Sequence, residues 1–184
     1  MRRHRVSGLV NGCAVVLALV TGCDVNQPYQ PSPSTDAAQA SEELRKLPSL
    51  EEATTKLDGA LDSITAAASQ RIPSIIWING TNEDSGSCPA PYDKSDGMSA
   101  YLPNRIAENV SVSEQDWHDL VAVAKDAAAT IGATAVQAMK DEPRNHDVWF
   151  TGPAGAFVKF SYKGNLVVSG YTGCRLPDAK RSTT

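Results

Sequence analysis

Aromatic residues are scarce in this chain, 6% of 184, and histidine is scarcer, with three in all. The motifs built from reactive residues are missing too. There is no Gly-x-Ser-x-Gly, no His-Glu-x-x-His, no phosphate-cradling glycine loop and no Cys-x-x-Cys. That excludes the common signatures of serine hydrolases, zinc proteases, P-loop enzymes and dithiol oxidoreductases. Basic charge is also in short supply, with 17 Lys plus Arg against 21 Asp plus Glu. Such a balance argues against nucleic acid and against a polybasic lipid-binding surface. The longest apolar run, Leu9 to Val20, is too short for a retained membrane-spanning helix.

That run is nevertheless the core of the most specific signal present. Arg2-Arg3-His4-Arg5 precedes it and Val20-Thr21-Gly22-Cys23 closes it. A basic head, a short apolar core and small residues at the end make a secretory signal peptide, expected over residues 1–22. A cysteine directly after an aliphatic and two small residues resembles the lipobox of bacterial lipoproteins. The resemblance implies cleavage before Cys23 and a diacylglycerol on its thiol. Two acyl chains hold a protein stably on a bilayer where one does not. Cys13 leaves with the signal. The expectation is a chain anchored in the cell membrane by lipid and facing its extracytoplasmic side.

Residues 23–46 are expected to be the lipidated cysteine and a disordered Pro/Ser-rich tether, because Pro28, Pro31 and Pro33 stand among small polar residues. Beyond it about 140 residues remain, the size of one domain, expected over 47–177, with 178–184 as a flexible tail. Loss of Arg2, Arg3 and Arg5 lowers Lys plus Arg from 17 to 14 against 21 acids, a mature charge of about −7. Cys88 and Cys174 are the two cysteines left in the domain. In an exported protein an even pair reads as a disulfide. The competing reading, a metal-binding or redox pair, lacks clustered histidines or a Cys-x-x-Cys spacing to support it.

Ser49-Leu50-Glu51-Glu52 is a capping box, and apolar residues recur at helical spacing from Leu50 to Ala68. Ser74 to Asn79 is a β-branched and aromatic run that predicts a buried strand. From Gly80 to about Pro103 glycine, proline and polar residues predict a long loop holding Cys88. Ser113-Glu114-Gln115-Asp116 opens a second amphipathic helix that Gly132 stops. After it the period falls to two. Strands are expected over 133–139 and 147–151, and again where Val158, Phe160 and Tyr162 alternate with Lys159, Ser161 and Lys163. Gly164-Asn165 signals a hairpin into a last strand over 166–171. The expected fold is α+β: two helices packed on an antiparallel sheet of four to five strands, a two-layer sandwich.

These features together resemble the LppA-like lipoproteins of mycobacteria. The lipobox at Val20 to Cys23, Pro28-Tyr29-Gln30-Pro31-Ser32-Pro33, the helix start at Ser49 to Glu52, Trp77-Ile78-Asn79-Gly80, and Cys88 with Cys174 carry the resemblance. It implies a cell-envelope lipoprotein of unassigned activity and brings no catalytic residues.

Bottom-up, the supply of chemistry is poor. His118 follows Trp117 in a helix and reads as a surface or half-buried residue. His146 adjoins Asp147, but neighbours entering a strand point to opposite faces. Asn79, Asn82, Glu83, Asp84, Asp93 and Asp96 do not follow the spacing of a calcium loop. The expectation is therefore no catalytic residue, no metal, no cofactor and no enzyme. A binding role is easier to motivate, through Trp77, Asn79, Asp84, Tyr92 and Tyr101 in and beside the Cys88 loop. Its partner would be an envelope protein, glycan or lipid. The alternative is a small-ligand carrier or a hydrolase with an unrecognised site, which a cleft containing His118 or His146 would favour.

Overall fold

Ser49 begins the longest helix in the way its capping box requires. Its hydroxyl accepts the Glu52 N–H at 3.1 Å, and Glu51 and Glu52 place negative charge at the positive end of the helix. The computed structural model describes residues 33–181. The signal segment, Cys23 and the start of the tether lie outside the described residues. Four α-helices are found among the described residues: α1 (Ala37–Arg45), α2 (Leu50–Arg71), α3 (Glu114–Ala129) and the single turn α4 (Asp178–Arg181).

Helix α2 buries Ala53, Leu57, Ala60, Leu61, Ile64 and Ala68 along one stripe. It ends where Pro73 forces Ile72 out of helical geometry, at φ −127° and ψ 81°. Helix α3 repeats the logic with Ser113 as cap and Trp117, Leu120, Ala124, Ala127 and Ala128 buried. Gly132 takes the left-handed conformation at φ 77°, letting the Ala133 N–H reach back to Ala128 O at 3.0 Å.

The strands are β1 (Trp77–Asn79), β2 (Asp84–Ser87), β3 (Met98–Tyr101), β4 (Arg105–Ala107), β5 (Ala135–Glu142), β6 (Asn145–Thr151), β7 (Phe157–Tyr162) and β8 (Leu166–Tyr171). They form an eight-stranded sheet in the order β1-β4-β8-β7-β6-β5, with the β2–β3 hairpin joined through Tyr101 opposite Tyr171. Every pairing is antiparallel. Leu57, Ile64, Trp117 and Leu120 from the helices meet Val148, Phe150, Val158, Phe160, Leu166 and Val168 from the sheet in one core. Each such side chain contributes about 1.5–3 kcal/mol by leaving water. A smaller core joins Leu44, Leu176 and the two cysteines.

The α+β class and the antiparallel sheet stand, but the count of four to five strands and two helices is too low. Residues 37–45, expected within the tether, fold as α1 because Ala40 and Leu44, one turn apart, are fully buried, Leu44 packing on the cysteine pair. The tail is not wholly free either, since Arg181 donates to Leu47 O at 2.6 Å and Arg45 O at 3.1 Å. The expected loop over 80–103 contains the β2–β3 hairpin. Asp84-Ser85-Gly86-Ser87 has no apolar alternation, so only backbone pairing with β3 makes it a strand. The strand expected to be buried is instead the sheet edge. β1 pairs with β4 alone, leaving Ile76 79% and Ile78 47% exposed.

Candidate binding face

Alternation in the central strands sends His146, Val148, Phe150, Val158, Phe160, Tyr162, Leu166 and Val168 toward the helices. The intervening residues therefore form the other face. That face would be expected to be polar, and near β3 it is not. Tyr101 stacks on Tyr171 with ring centres 4.2 Å apart. Phe157 lies 5.6 Å from Tyr171 and 6.0 Å from Tyr101, and Trp149 lies 4.7 Å from Phe157. The result is an aromatic row across β3, β8, β7 and β6, turned away from α2 and α3.

Polar groups flank the row. Lys159 Nζ lies 5.3 Å from the Trp149 ring centre and 3.1 Å from Asp147 Oδ2. The second Asp147 carboxylate oxygen is buried without a donor. Ser161 and Ser169 stand at the same parity. Tyr101 is 40% exposed, and burial, helped by Tyr171 and Asp84, raises its hydroxyl above the ordinary tyrosine pKa.

Cys88 and Cys174 form a disulfide with Cα atoms 5.6 Å apart. It fixes the 89–92 segment against the end of β8. Pro89, Pro91, Tyr92, Ala154 and Tyr171 line a cleft of about 300 Å³ beside the row. Burial first, and the Glu43 carboxylate second, push the Tyr92 hydroxyl up.

Three of the five residues expected to bind are thus gathered here. Tyr101 belongs to the row, Asp84 is its partner across β2–β3, and Tyr92 shares the adjoining cleft with Tyr171. Trp77 and Asn79 lie elsewhere. Trp77 packs on the core and donates to Ser69 Oγ at 3.0 Å, while Asn79 accepts from Arg105 at 3.2 Å. Trp149, Phe157 and Tyr171 join the row without standing in any sequence motif. Their signal was available, because aromatics at 149 and 157 fall on the wet parity of strands whose core residues are 148, 150, 158 and 160.

His118 is exposed. His146 is buried, 4% exposed, and packed flat on Trp117 with ring centres 4.6 Å apart. Its Nδ1 lies 3.2 Å from Asp141 Oδ1 and its Nε2 3.1 Å from Glu114 Oε2. Glu114 also accepts the Arg144 N–H at 3.0 Å. Both ring nitrogens are engaged, and the arrangement fastens the β5–β6 turn to α3. Asp147 points to the opposite face, toward Lys159. Among the described residues no group of three His, Cys, Asp or Glu side chains is placed to hold a metal ion.

Residues 25–178 match the LppA family, described as a lipoprotein confined to pathogenic Mycobacterium. The crystal structure of the lipoprotein LppA from Mycobacterium tuberculosis superposes with a TM-score of 0.63 at 17% identity, covering 79% of this chain and 89% of that one. A DUF4853 family protein from Actinomyces odontolyticus gives a TM-score of 0.48 at 16% identity over 82% of this chain and 75% of its own. No curated protein matches.

Proposed function

The chain belongs to the LppA family of lipoproteins, and from that premise we propose that it is exported, cleaved before Cys23 and held by lipid on Cys23 at the extracytoplasmic side of the cell membrane. There it acts as a non-enzymatic recognition module for a component of the envelope. The observation that carries the binding role is the row Tyr101, Tyr171, Phe157 and Trp149 on the sheet face turned away from α2 and α3. Aromatics on that side add nothing to the main core, whereas ring faces bordered by Lys159, Asp147, Ser161 and Ser169 suit a flat ligand rich in hydroxyls. Of an envelope protein, a glycan and a lipid, a glycan fits that mixture best.

Two experiments test the reading. Mass spectrometry of the protein from the envelope fraction is expected to find the chain starting at Cys23 with lipid attached; an unmodified Cys23 removes the anchor. Soluble neutral oligosaccharides are expected to perturb Trp149 fluorescence, with Trp149→Phe as the control that abolishes the signal. If binding, measured by calorimetry, survives both Trp149→Ala and Tyr101→Ala unchanged, this face is not the recognition surface.

A further inference from the structure

Arg175 directly follows the second disulfide cysteine and is buried to 2% exposure. No carboxylate pairs with it among the described residues. Its guanidinium donates through Nη1 alone, to Cys174 O at 2.7 Å and to Pro153 O at 3.3 Å. Nε is buried with no acceptor. The Nε–Nη2 edge is the one that takes a carboxylate side-on through two parallel hydrogen bonds. In this protein that edge is unused. Buried charges are ordinarily paired, because an unpaired one forfeits hydration without return. Burial here also holds the guanidinium pKa below its ordinary value.

The same residue lines a cleft of about 180 Å³. This cleft lies where the α1–α2 corner, the end of α3 and the turn Pro153–Gly155 meet, and Leu47, Pro48, Ala53, Ile131 and Pro153 supply mostly apolar walls. Lys56 also contributes, its ammonium 2.6 Å from Glu52 and its side chain 45% exposed. An orphaned cation within an apolar enclosure calls for a ligand with both characters.

We propose that this cleft binds a small organic carboxylate, with the carboxylate against the Arg175 guanidinium and an apolar body against Leu47, Ala53 and Ile131. The site is separate from the aromatic face and stands or falls independently of it. At about 180 Å³ the cleft is small, so the body is short. The apolar walls favour a ligand with an organic body over inorganic phosphate.

The test is a titration of the full-length protein with hexanoate, hexanol, acetate and inorganic phosphate, read from the amide signals of Gly132 and Thr172 and the Arg175 Nε–H. Hexanoate is expected to shift these signals saturably and at least tenfold more tightly than acetate or phosphate, with hexanol inert. Equal binding of hexanol, equal binding of phosphate or acetate, or no saturable shift with hexanoate overturns the proposal. Arg175→Met is expected to abolish binding, and because it removes a buried side chain, Ile131→Trp provides a second variant. That substitution fills the cleft and leaves Arg175 in place; hexanoate binding is expected to weaken at least tenfold, and unchanged affinity in a folded Ile131→Trp protein overturns the assignment.

Discussion

Glu114 and His146 join two elements that would otherwise meet only through apolar contact. Glu114 opens α3, and its carboxylate takes His146 Nε2 at 3.1 Å and the Arg144 N–H at 3.0 Å. The β5–β6 hairpin depends on this link more than most, since every residue of β5 is exposed. Replacing Glu114 by Ala leaves a buried imidazole nitrogen and a turn amide without acceptors. The expected cost is about 1–3 kcal/mol in urea unfolding. Hydrogen exchange at the Arg144 amide is expected to accelerate well beyond that of the central β7 and β8 amides. Equal acceleration throughout the sheet would mean that the link is not local.

The disulfide has a separate role at the other end of the sheet. Cys88 and Cys174 are 86 positions apart, and closing a loop of that length contributes on the order of 4 kcal/mol in the chain-entropy model. The double substitution Cys88→Ser with Cys174→Ser is expected to lower stability by a few kcal/mol and to loosen α1 first. Leu44 shares a buried cluster with both cysteines, so helix α1 loses part of the core it packs on. Circular dichroism with exchange at the Leu44 amide would show whether α1 frays ahead of α2.

Legibility in the sequence followed the range of the forces involved. Ser49 and Ser113 cap helices through atoms three residues away, so α2 and α3 could be read locally. The alternation around Val158, Phe160 and Tyr162 needs only one buried face, so β7 and β8 could be read as well. Helix α1 could not, because Leu44 is buried in a cluster with Cys88, Cys174 and Leu176, far along the chain. Strand β4 has three residues and exists through its pairing with Val168, Val167 and Leu166 on β8 and with β1. The candidate face was half legible. Tyr101 stood out in a loop-like segment, whereas Trp149 and Phe157 looked like ordinary members of apolar strands until their parity was counted. Arg175 carried no local sign of burial.

Acid titration bears on α3. The carboxyl of Asp116 is held below its ordinary pKa, first by the hydrogen bond from Ser113 and then by Arg71. A group whose folded pKa is depressed contributes stability above its unfolded pKa, and that contribution is lost as pH falls through the folded pKa. The window lies at and below the ordinary aspartate value of 3.8. Carbon-detected NMR titration is expected to give Asp116 a midpoint below that value, moving upward in Ser113→Ala. A midpoint that does not respond to Ser113→Ala would assign the shift to Arg71 instead.

Two adjacent residues on β6 face opposite sides of the sheet and separate folding from the proposed recognition. Phe150 is fully buried among the helices, whereas Trp149 faces the other way beside Phe157 and Lys159. Phe150→Ala is expected to cost about 3–5 kcal/mol, the range for removing a core aromatic. Trp149→Ala removes one stacking partner and one cation–π contact and is expected to cost about 1 kcal/mol. If the sheet face serves recognition, the order reverses for ligand binding, measured well below both melting temperatures. Trp149→Ala then loses affinity while Phe150→Ala, where still folded, keeps it. A Trp149→Ala protein as destabilised as Phe150→Ala would mean that the aromatic row is a second core, and the recognition role would have to be sought away from it.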